Sequence, residues 1–380
     1  YRPEHTKKRG IYDRSFNGES KMKAALISLG SKSSIMTAEA MGKYFDQVDM
    51  IQLRNIEINI GKDGGIFYQG KLLDTYDCVF LKGSFRYANL LRSIAAMLEG
   101  KVSYMPIHAS SFSVVHNKLL THLVLQQHNI PMPRTYLSPT VNEAKELLKR
   151  VNYPIVMKFP EGTQGKGVMF ADSISSAASL LDALGALNQP FIIQEYIDTG
   201  GTDIRALVVG DKVVAAYRRK AKTDDNRSNL HAGGSGESVL LSREGINMAL
   251  DTAKALNTDI CGVDILESPL GYLVIEANLS PGLQGVSKIS TIDVADAIAK
   301  HLYRKTYEIV NGEKKEAAAK VMKDLAIDNS IPQEIISSLQ FRGERILLPE
   351  YITKLSGFDD RKEYALKATK GKIEIEEFRI

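Results

Sequence analysis

The sequence predicts an α/β protein, and three observations carry that prediction. Short apolar runs of strand length alternate with segments of helical periodicity through most of the chain. A turn holding three glycines, KFPEGTQGKG from Lys158 to Gly167, joins two strand-like runs rather than a strand and a helix. Two later strand-like runs, Cys261 to Ile265 and Gly271 to Ile275, bring acidic residues to where neighbouring strands end. The 380 residues are 44% hydrophobic and 25% charged, ordinary globular material with enough length for two or three domains.

Residues 1–21 are polar and aperiodic and read as an extension ahead of a fold that begins near Met22. In an N-terminal open α/β domain, 22–115, KAALISL from Lys23 to Leu29 is a buried strand. The small residues Gly30 to Ser34 lead into a helix reaching Tyr44, Cys78 to Leu81 is a further strand, and Leu90 to Leu98 lie on a helix. The body, 116–305, opens with a helix marked by Leu119, Leu120, Leu123 and Val124 that ends before Pro131. Val141, Ala144, Leu147, Leu148 and Val151 then line one helix face. Strands from Pro154 to Phe159 and from Val168 to Ala171 flank the glycine turn, a helix covers Ser173 to Leu187, and FIIQEY closes this unit. Asp203 to Val209 and Lys212 to Arg218 form a hairpin about Gly210 and Asp211. A polar loop from Lys220 to Gly236, a helix from Arg243 to Leu256, the two acid-bearing strands and a helix from Ile292 to Tyr303 complete the body. Val310 to Lys315 reads as a charged linker, and 316–380 as an appended module.

Several function classes are excluded or left without support. No apolar run approaches the roughly 18 residues of a membrane span, and the N-terminus has no charged-then-apolar signal pattern, so a cytoplasmic protein without a membrane partner is expected. A net charge of +4 is too mild to argue for nucleic acid, though it suits a site that draws phosphate. Cys78 and Cys261 sit in apolar runs and read as reduced core thiols, and the seven histidines show no zinc-ligand spacing.

The chemistry concentrates in five places. Asp264, Glu276 and Asn278 supply two carboxylates and an amide oxygen at adjacent strand ends, a hard-oxygen set suited to a divalent cation carrying a nucleotide. Taken alone, they read equally well as solvent-facing strand ends. Lys158 and the glycines after it allow backbone amides and a fixed charge to approach an anion, as a lid over phosphates does. This is neither a Walker A loop nor a dinucleotide fingerprint, since both require a helix after the glycines. At Gln194 to Ile197 an apolar strand runs into a polar hinge able to meet an adenine edge, with Glu195 or Asp203 available to ribose hydroxyls, although a plain strand end is the blander reading. Arg205, Arg218, Arg219, Lys220 and Arg227 cluster on or beside the hairpin. Adjacent strand residues face opposite ways, so Arg205 and only one of Arg218 and Arg219 are expected to serve one pocket. Lys118, beside Asn117 at a helix start, says little alone.

In chain order, Lys118, Lys158 with EGTQGKG, Gln194 to Ile197, Asp203 to Arg205, Arg227-Ser228-Asn229-Leu230-His231, Gly262-Val263-Asp264 and Glu276 to Gly282 resemble an ATP-grasp ligase, most of all the RimK branch of ribosomal-protein glutamate ligases. The likeness covers roughly Met22 to Tyr303. It implies an N-terminal α/β domain plus two α+β subdomains that clasp ATP. Lys118 and Lys158, with Gly165 and Gly167 of the lid, would then contact phosphates. Glu195 with the Tyr196 and Ile197 backbone would hold adenine, Asp203 the ribose, and Arg227, Ser228 and Asn229 would belong to the nucleotide-site loop. Asp264, Glu276 and Asn278 match the ligands of two magnesium or manganese ions, and Lys158, Arg205 and Arg219 are the catalytic candidates. Ser280 to Gly285, SPGLQG, resembles this branch more than its lysine- and arginine-biosynthetic relatives. Enzymes of this kind let a carboxylate attack the γ-phosphate of ATP, and an amine then captures the acyl phosphate as an amide. One departure stands out: the family's proline-arginine-isoleucine-glycine run is replaced by Leu81, Lys82, Gly83 and Ser84, which opens the question of the acceptor.

The expected activity is therefore ATP-dependent carboxylate-amine ligation that adds glutamate to a protein or small molecule. The alternatives are a coenzyme glutamate ligase and a DNA-binding regulator with a nucleotide-sensing body. IPQEIISSL, 331–339, and LPEYITKL, 348–355, share a proline at a helix start, and a hairpin turning at Lys370 and Gly371 follows, with Ile373 and Ile375 on its second arm. Arg342 to Phe378 weakly resembles an AbrB-type swapped-hairpin unit, a fold often used for dimerisation and DNA binding; the stretch lacks the specific residues that DNA binding would need, so an oligomerisation or docking module, and with it a homo-oligomer, is expected.

Overall fold

A computed structural model describes residues 21–62, 64–161, 167–220, 235–269, 271–324, 340–343, 345–348, 352–353, 356–359 and 362–378. The chain divides into two compact units, 1–312 and 313–380.

The first unit opens with β1 (Lys23–Ser28), α1 (Lys32–Met41), β2 (Gln47–Gln52), β3 (Ile56–Asn59), β4 (Gly65–Tyr68), β5 (Lys71–Leu72), β6 (Cys78–Leu81), α2 (Ala88–Leu98) and α3 (Ala109–Val115). β1 lies between β2 and β6 in a parallel sheet. Its central four residues, Ala24 to Ile27, are apolar and fully buried, as a strand inside a parallel sheet covered on both faces requires. The hairpin strands β3 to β5 form a separate small sheet that the sequence reading did not anticipate. Cys78 is a free, fully buried thiol, as is Cys261 further on.

α4 (Lys118–Gln127) starts at Asn117, whose side chain accepts from the Leu119 and Leu120 amides. β7 (Thr135–Tyr136), α5 (Val141–Leu148), β8 (Ile155–Lys158), β9 (Val168–Ala171), α6 (Ile174–Ala186) and β10 (Ile192–Glu195) follow. The four strands pair in the order β7-β10-β8-β9, and α5 and α6 pack on them through Ala144, Leu148, Ala177 and Leu181.

β11 (Thr202–Val209), β12 (Lys212–Lys220), β13 (Ser235–Ser238), α7 (Arg243–Ala255), β14 (Ile260–Ser268) and β15 (Gly271–Asn278) build an antiparallel sheet ordered β13-β12-β11-β14-β15. Its alternation decides where the chemistry goes. Ala206, Val208, Cys261, Val263 and Ile265 point back into a core with α7, whereas Asp203, Arg205 and Asp264 take the intervening positions on the other face. At the β11–β12 turn, Gly210 has φ of +63°, and a β-carbon there would collide with the buried His301 ring. Gly210→Ala is expected to destabilise the protein by about 1–3 kcal/mol, measured by denaturant titration, because it adds left-handed strain to a steric clash.

α8 (Leu283–Val286) and α9 (Val294–Asp324) end the first unit's core. α9 runs through Val310 to Lys315, the segment read as a charged linker, and the boundary between the two units falls inside that segment. Glutamate, lysine and alanine are strong helix formers, so a charged run of them continues a helix as readily as it forms a tether.

The second unit holds two hairpins among its described residues, β16 (Gln340–Arg342) with β17 (Arg345–Leu347), and β18 (Tyr364–Thr369) with β19 (Lys372–Glu377). The latter turns at Lys370 and Gly371, the positions expected. IPQEIISSL lies outside the described residues, as does most of LPEYITKL. Among the described residues no helix is long and apolar enough to cross a membrane.

Candidate active site

The four-stranded and five-stranded sheets contribute to one cleft of about 990 Å³, whose wall is completed by the carboxyl ends of β1 and β6. Lys118, Lys158, Gly167, Asp264, Glu276 and Asn278 all line it.

Strand register explains the convergence on the five-stranded sheet. Tyr217, Arg205, Asp264 and Glu276 are successive cross-strand partners on β12, β11, β14 and β15. Arg205 reaches Asp264 through two charge-assisted hydrogen bonds, Nε to Oδ1 and an Nη to Oδ2, both 2.6 Å, and lies 4.0 Å from Glu276 Oε1. Arg219 donates to both oxygens of its cross-strand partner Asp203 and sits 2.9 Å from Asp264 Oδ2. Arg218 turns away to Glu267 and Glu237, so Arg219 is the member of the pair that serves the cleft.

Burial opposes the Asp264 carboxylate, but the Arg205 and Arg219 guanidiniums hold its pKa well below the usual carboxylate range. Asp203, expected at a ribose, carries a bidentate ion pair to Arg219 here, so it is held in place by the sheet's own chemistry.

Lys158 ends β8 and donates Nζ to Gln194 Oε1 at 2.6 Å, while Gln194 Nε2 donates to Thr135 Oγ1 at 2.8 Å. Gln194 was read only as part of a hinge. Its place on β10, one strand from Lys158, makes it the residue that aims the ammonium. Burial pulls the Lys158 pKa down to about 8, with Glu276 acting to hold it up, and burial lowers Lys118 against the same carboxylate. The Lys118 amide donates to Pro160 O at 2.9 Å, tying the start of α4 to the segment after β8. Thus two cations on one wall answer a carboxylate on the other.

Gly167, at φ of +79°, leaves no room for a β-carbon beside the Phe159 ring. At the hinge, Glu195 Oε1 accepts from the Arg134 amide at 2.7 Å and the Tyr196 amide donates to Pro154 O at 3.2 Å. Tyr196 and Ile197 line the cleft with Glu195. Gly165, Arg227, Ser228 and Asn229 lie outside the described residues.

Asn278 donates Nδ2 to Glu276 Oε1 at 3.3 Å, which turns its amide oxygen away from that carboxylate. No cluster of three or more His, Cys, Asp or Glu side chains suited to a metal occurs among the described residues. The oxygen set here is two carboxylates and one amide, and Mg²⁺ in nucleotide sites takes one or two carboxylates with phosphate and water completing its shell. The donor set fits that ion, with Glu276 and Asn278 less committed to other partners than Asp264.

Solved ATP-grasp ligases share this architecture. PsnB in complex with a minimal precursor superposes with a TM-score of 0.60 at 16% identity, over 75% of this chain and 99% of that one. The RimK domain protein of Sphaerobacter thermophilus DSM 20745 gives 0.58 at 16% identity, over 73% and 98%. The fold is therefore ATP-grasp. Residues 115–302 match the RimK-like ATP-grasp domain. Curated relatives named "Probable alpha-L-glutamate ligase" from Marinomonas sp. (strain MWYL1) and Xanthomonas euvesicatoria pv. vesicatoria (strain 85-10) are 34% and 35% identical over 75% and 74% of this chain and 97% of each relative. The chain belongs to the RimK-like ATP-grasp family and is a ligase.

Proposed function

We propose that the protein joins glutamate to an acceptor through an amide bond, driven by ATP. The observation that carries this reading is the opposition across one cleft of Lys118 and Lys158 to Glu276, Asn278 and Asp264. The names of the relatives point to glutamate.

In the first step a carboxylate oxygen forms a bond to the γ-phosphorus while the bond to the β-phosphate bridging oxygen breaks and ADP leaves. In the second, the amine nitrogen bonds the acyl carbon, the carbon–oxygen bond to phosphate breaks, and the nitrogen gives up a proton. Lys158 and Lys118 hold phosphate oxygens. Asp264, Glu276 and Asn278 would hold two Mg²⁺ or Mn²⁺ ions, which would supply neutralisation of charge on the phosphates. Arg205, beside Glu276 and locked in orientation by Asp264, faces the oxyanion of the second step, and Arg219 keeps Asp203 and Asp264 in place. The Ile197 amide and the hinge carbonyls meet adenine, since the Tyr196 amide is taken by Pro154. The resemblance to the family assigns Gly165 to the lid and Arg227, Ser228 and Asn229 to the nucleotide-site loop. The 313–380 unit, with Leu366 and Ile373 exposed on its hairpin, serves docking or self-association.

Phosphate release measured with ATP, Mg²⁺, glutamate and a panel of acceptors, with mass spectrometry of the products, tests the reading. Release that needs both glutamate and an acceptor is expected; turnover indifferent to every amino acid would contradict it. Lys158→Met is expected to raise the KM for ATP about 10- to 100-fold, the worth of one charge-assisted hydrogen bond to phosphate.

A further inference from the structure

Lys82 follows β6, and its amide continues the parallel ladder by donating to Ile27 O at 2.9 Å. It therefore stands at the carboxyl ends of β1 and β6, the place where open parallel sheets receive ligands, and it lines the cleft. The residue is only 4% exposed, and its Nζ has no hydrogen-bonding partner. The Phe80 ring, 5.5 Å from Nζ, offers the ammonium only a weak attraction. Burial alone pulls its pKa down to about 8, which leaves it mostly charged at neutral pH. Arg205 and Arg219 in the same cleft are both neutralised by carboxylates, whereas Lys82 is a buried cation without one. A charge in that position is costly until an anion from outside the chain meets it.

The surroundings favour an anion. The ten-residue helix α1 starts at Ser31, and Ser31, Ser33 and Ser34 of its first turn line the cleft with Lys82. Ser33 Oγ accepts from the Leu283 amide and donates to Gln284 Oε1, both at 2.9 Å, and the Gly83 amide donates to Ser280 Oγ at 3.0 Å. These bonds pin the loop that follows Asn278 across the end of β6. The niche is thus one short loop away from the oxygen cluster of Glu276 and Asn278, in the same cleft as Lys118 and Lys158.

Amide formation distinguishes two kinds of carboxylate. The one that is phosphorylated must reach the γ-phosphate. The carboxylates of the amino acid that supplies the amine remain anions throughout, so a fixed cation can hold one of them without being involved in bond making. We infer that Lys82, with the first turn of α1, anchors an unreacted carboxylate of the amino acid whose amine is acylated, and so sets specificity for that substrate. This rests on the ligase reading above.

The test combines kinetics with calorimetric binding of glutamate, glutamine, isoglutamine and aspartate to the full chain loaded with Mg²⁺ and a non-hydrolysable ATP analogue. Lys82→Met is expected to raise the KM for glutamate about 10- to 100-fold while the KM for ATP stays within about twofold, and Lys82→Arg to restore part of the loss. The analogue lacking the anchored carboxylate should bind wild type and Lys82→Met equally, which identifies that carboxylate. The unliganded Lys82→Met protein should melt at a higher temperature, since a buried charge is removed, so loss of folding does not account for lost binding. Equal glutamate binding by wild type and Lys82→Met, or binding of no amino acid by wild type, overturns the inference. Absence of glutamate-dependent phosphate release together with Lys82-dependent binding of another amino acid overturns the glutamate reading and leaves the subsite standing.

Discussion

Glu276→Ala is expected to abolish ATP turnover, with a loss on the order of 10³-fold or more, because one carboxylate serves two tasks. It is an oxygen donor beside Asn278, and it is the countercharge that raises the pKa of both Lys118 and Lys158 across the cleft. Without it the two lysines, already pulled down by burial, lose the group that favours their charged forms. Its side chain is 35% exposed, so removing it leaves no cavity in the core and the fold should survive. Glu276→Gln tests the same point with shape retained, and should be nearly as inactive since an amide supplies neither the charge nor a strong ligand. The measurement is phosphate release at saturating Mg²⁺ with glutamate and acceptor present, with thermal melting as the control. Normal turnover by either variant at ordinary Mg²⁺ concentration would falsify the assignment of Glu276.

The parts of the fold that were readable from sequence are those where a period-2 or helical pattern meets a sharp boundary. β6 and β9 coincide with the expected runs, and α4 begins at the asparagine that caps it. β2 was not legible because it is half-exposed, with Asp49 and Gln47 interrupting its apolar pattern. The β3–β5 sheet is built from strands of two to four residues, too short for periodicity to register. α9 overran its expected end because helix propensity and linker character share the same charged residues.

The candidate site was legible as a set of residue types in order, and less so as a set of partnerships. That only one of Arg218 and Arg219 faces the cleft follows from strand alternation. That Arg219 pairs with Asp203, and Arg205 with Asp264, follows from registers between strands far apart in sequence, which local pattern does not encode. Lys82 marks the same limit. Its sequence position stood out as a departure from the family's run, but that its ammonium is buried and unpartnered depends on β1, α1 and the 280–284 loop meeting there.

Arg219→Met is expected to destabilise the protein by about 3–5 kcal/mol, the cost of breaking a buried ion pair by removing one member. Asp203 and Asp264 side chains are 5% and 2% exposed, and each would lose a guanidinium while retaining its charge. The neighbouring Arg218→Met makes the contrast, because Arg218 pairs with Glu267 and Glu237, which are 43% and 75% exposed, and such pairs are worth at most about 1 kcal/mol. Acid titration should separate the two variants as well. Asp264 has its pKa lowered well below 3.8 by folding, so the stability this brings is present above about pH 4 and is lost progressively as the pH falls from there through the much lower folded value. With Arg219 gone and only Arg205 left to hold Asp264, the acid-dependent loss should be smaller than in the wild type, whereas Arg218→Met should follow the wild-type curve. Denaturant titrations at pH 7 and at about pH 2 measure both effects, since the loss develops between the unfolded value of 3.8 and the much lower folded one. Equal midpoints for Arg219→Met and Arg218→Met at pH 7 would mean that the Asp203–Arg219–Asp264 network does not hold this face of the sheet together.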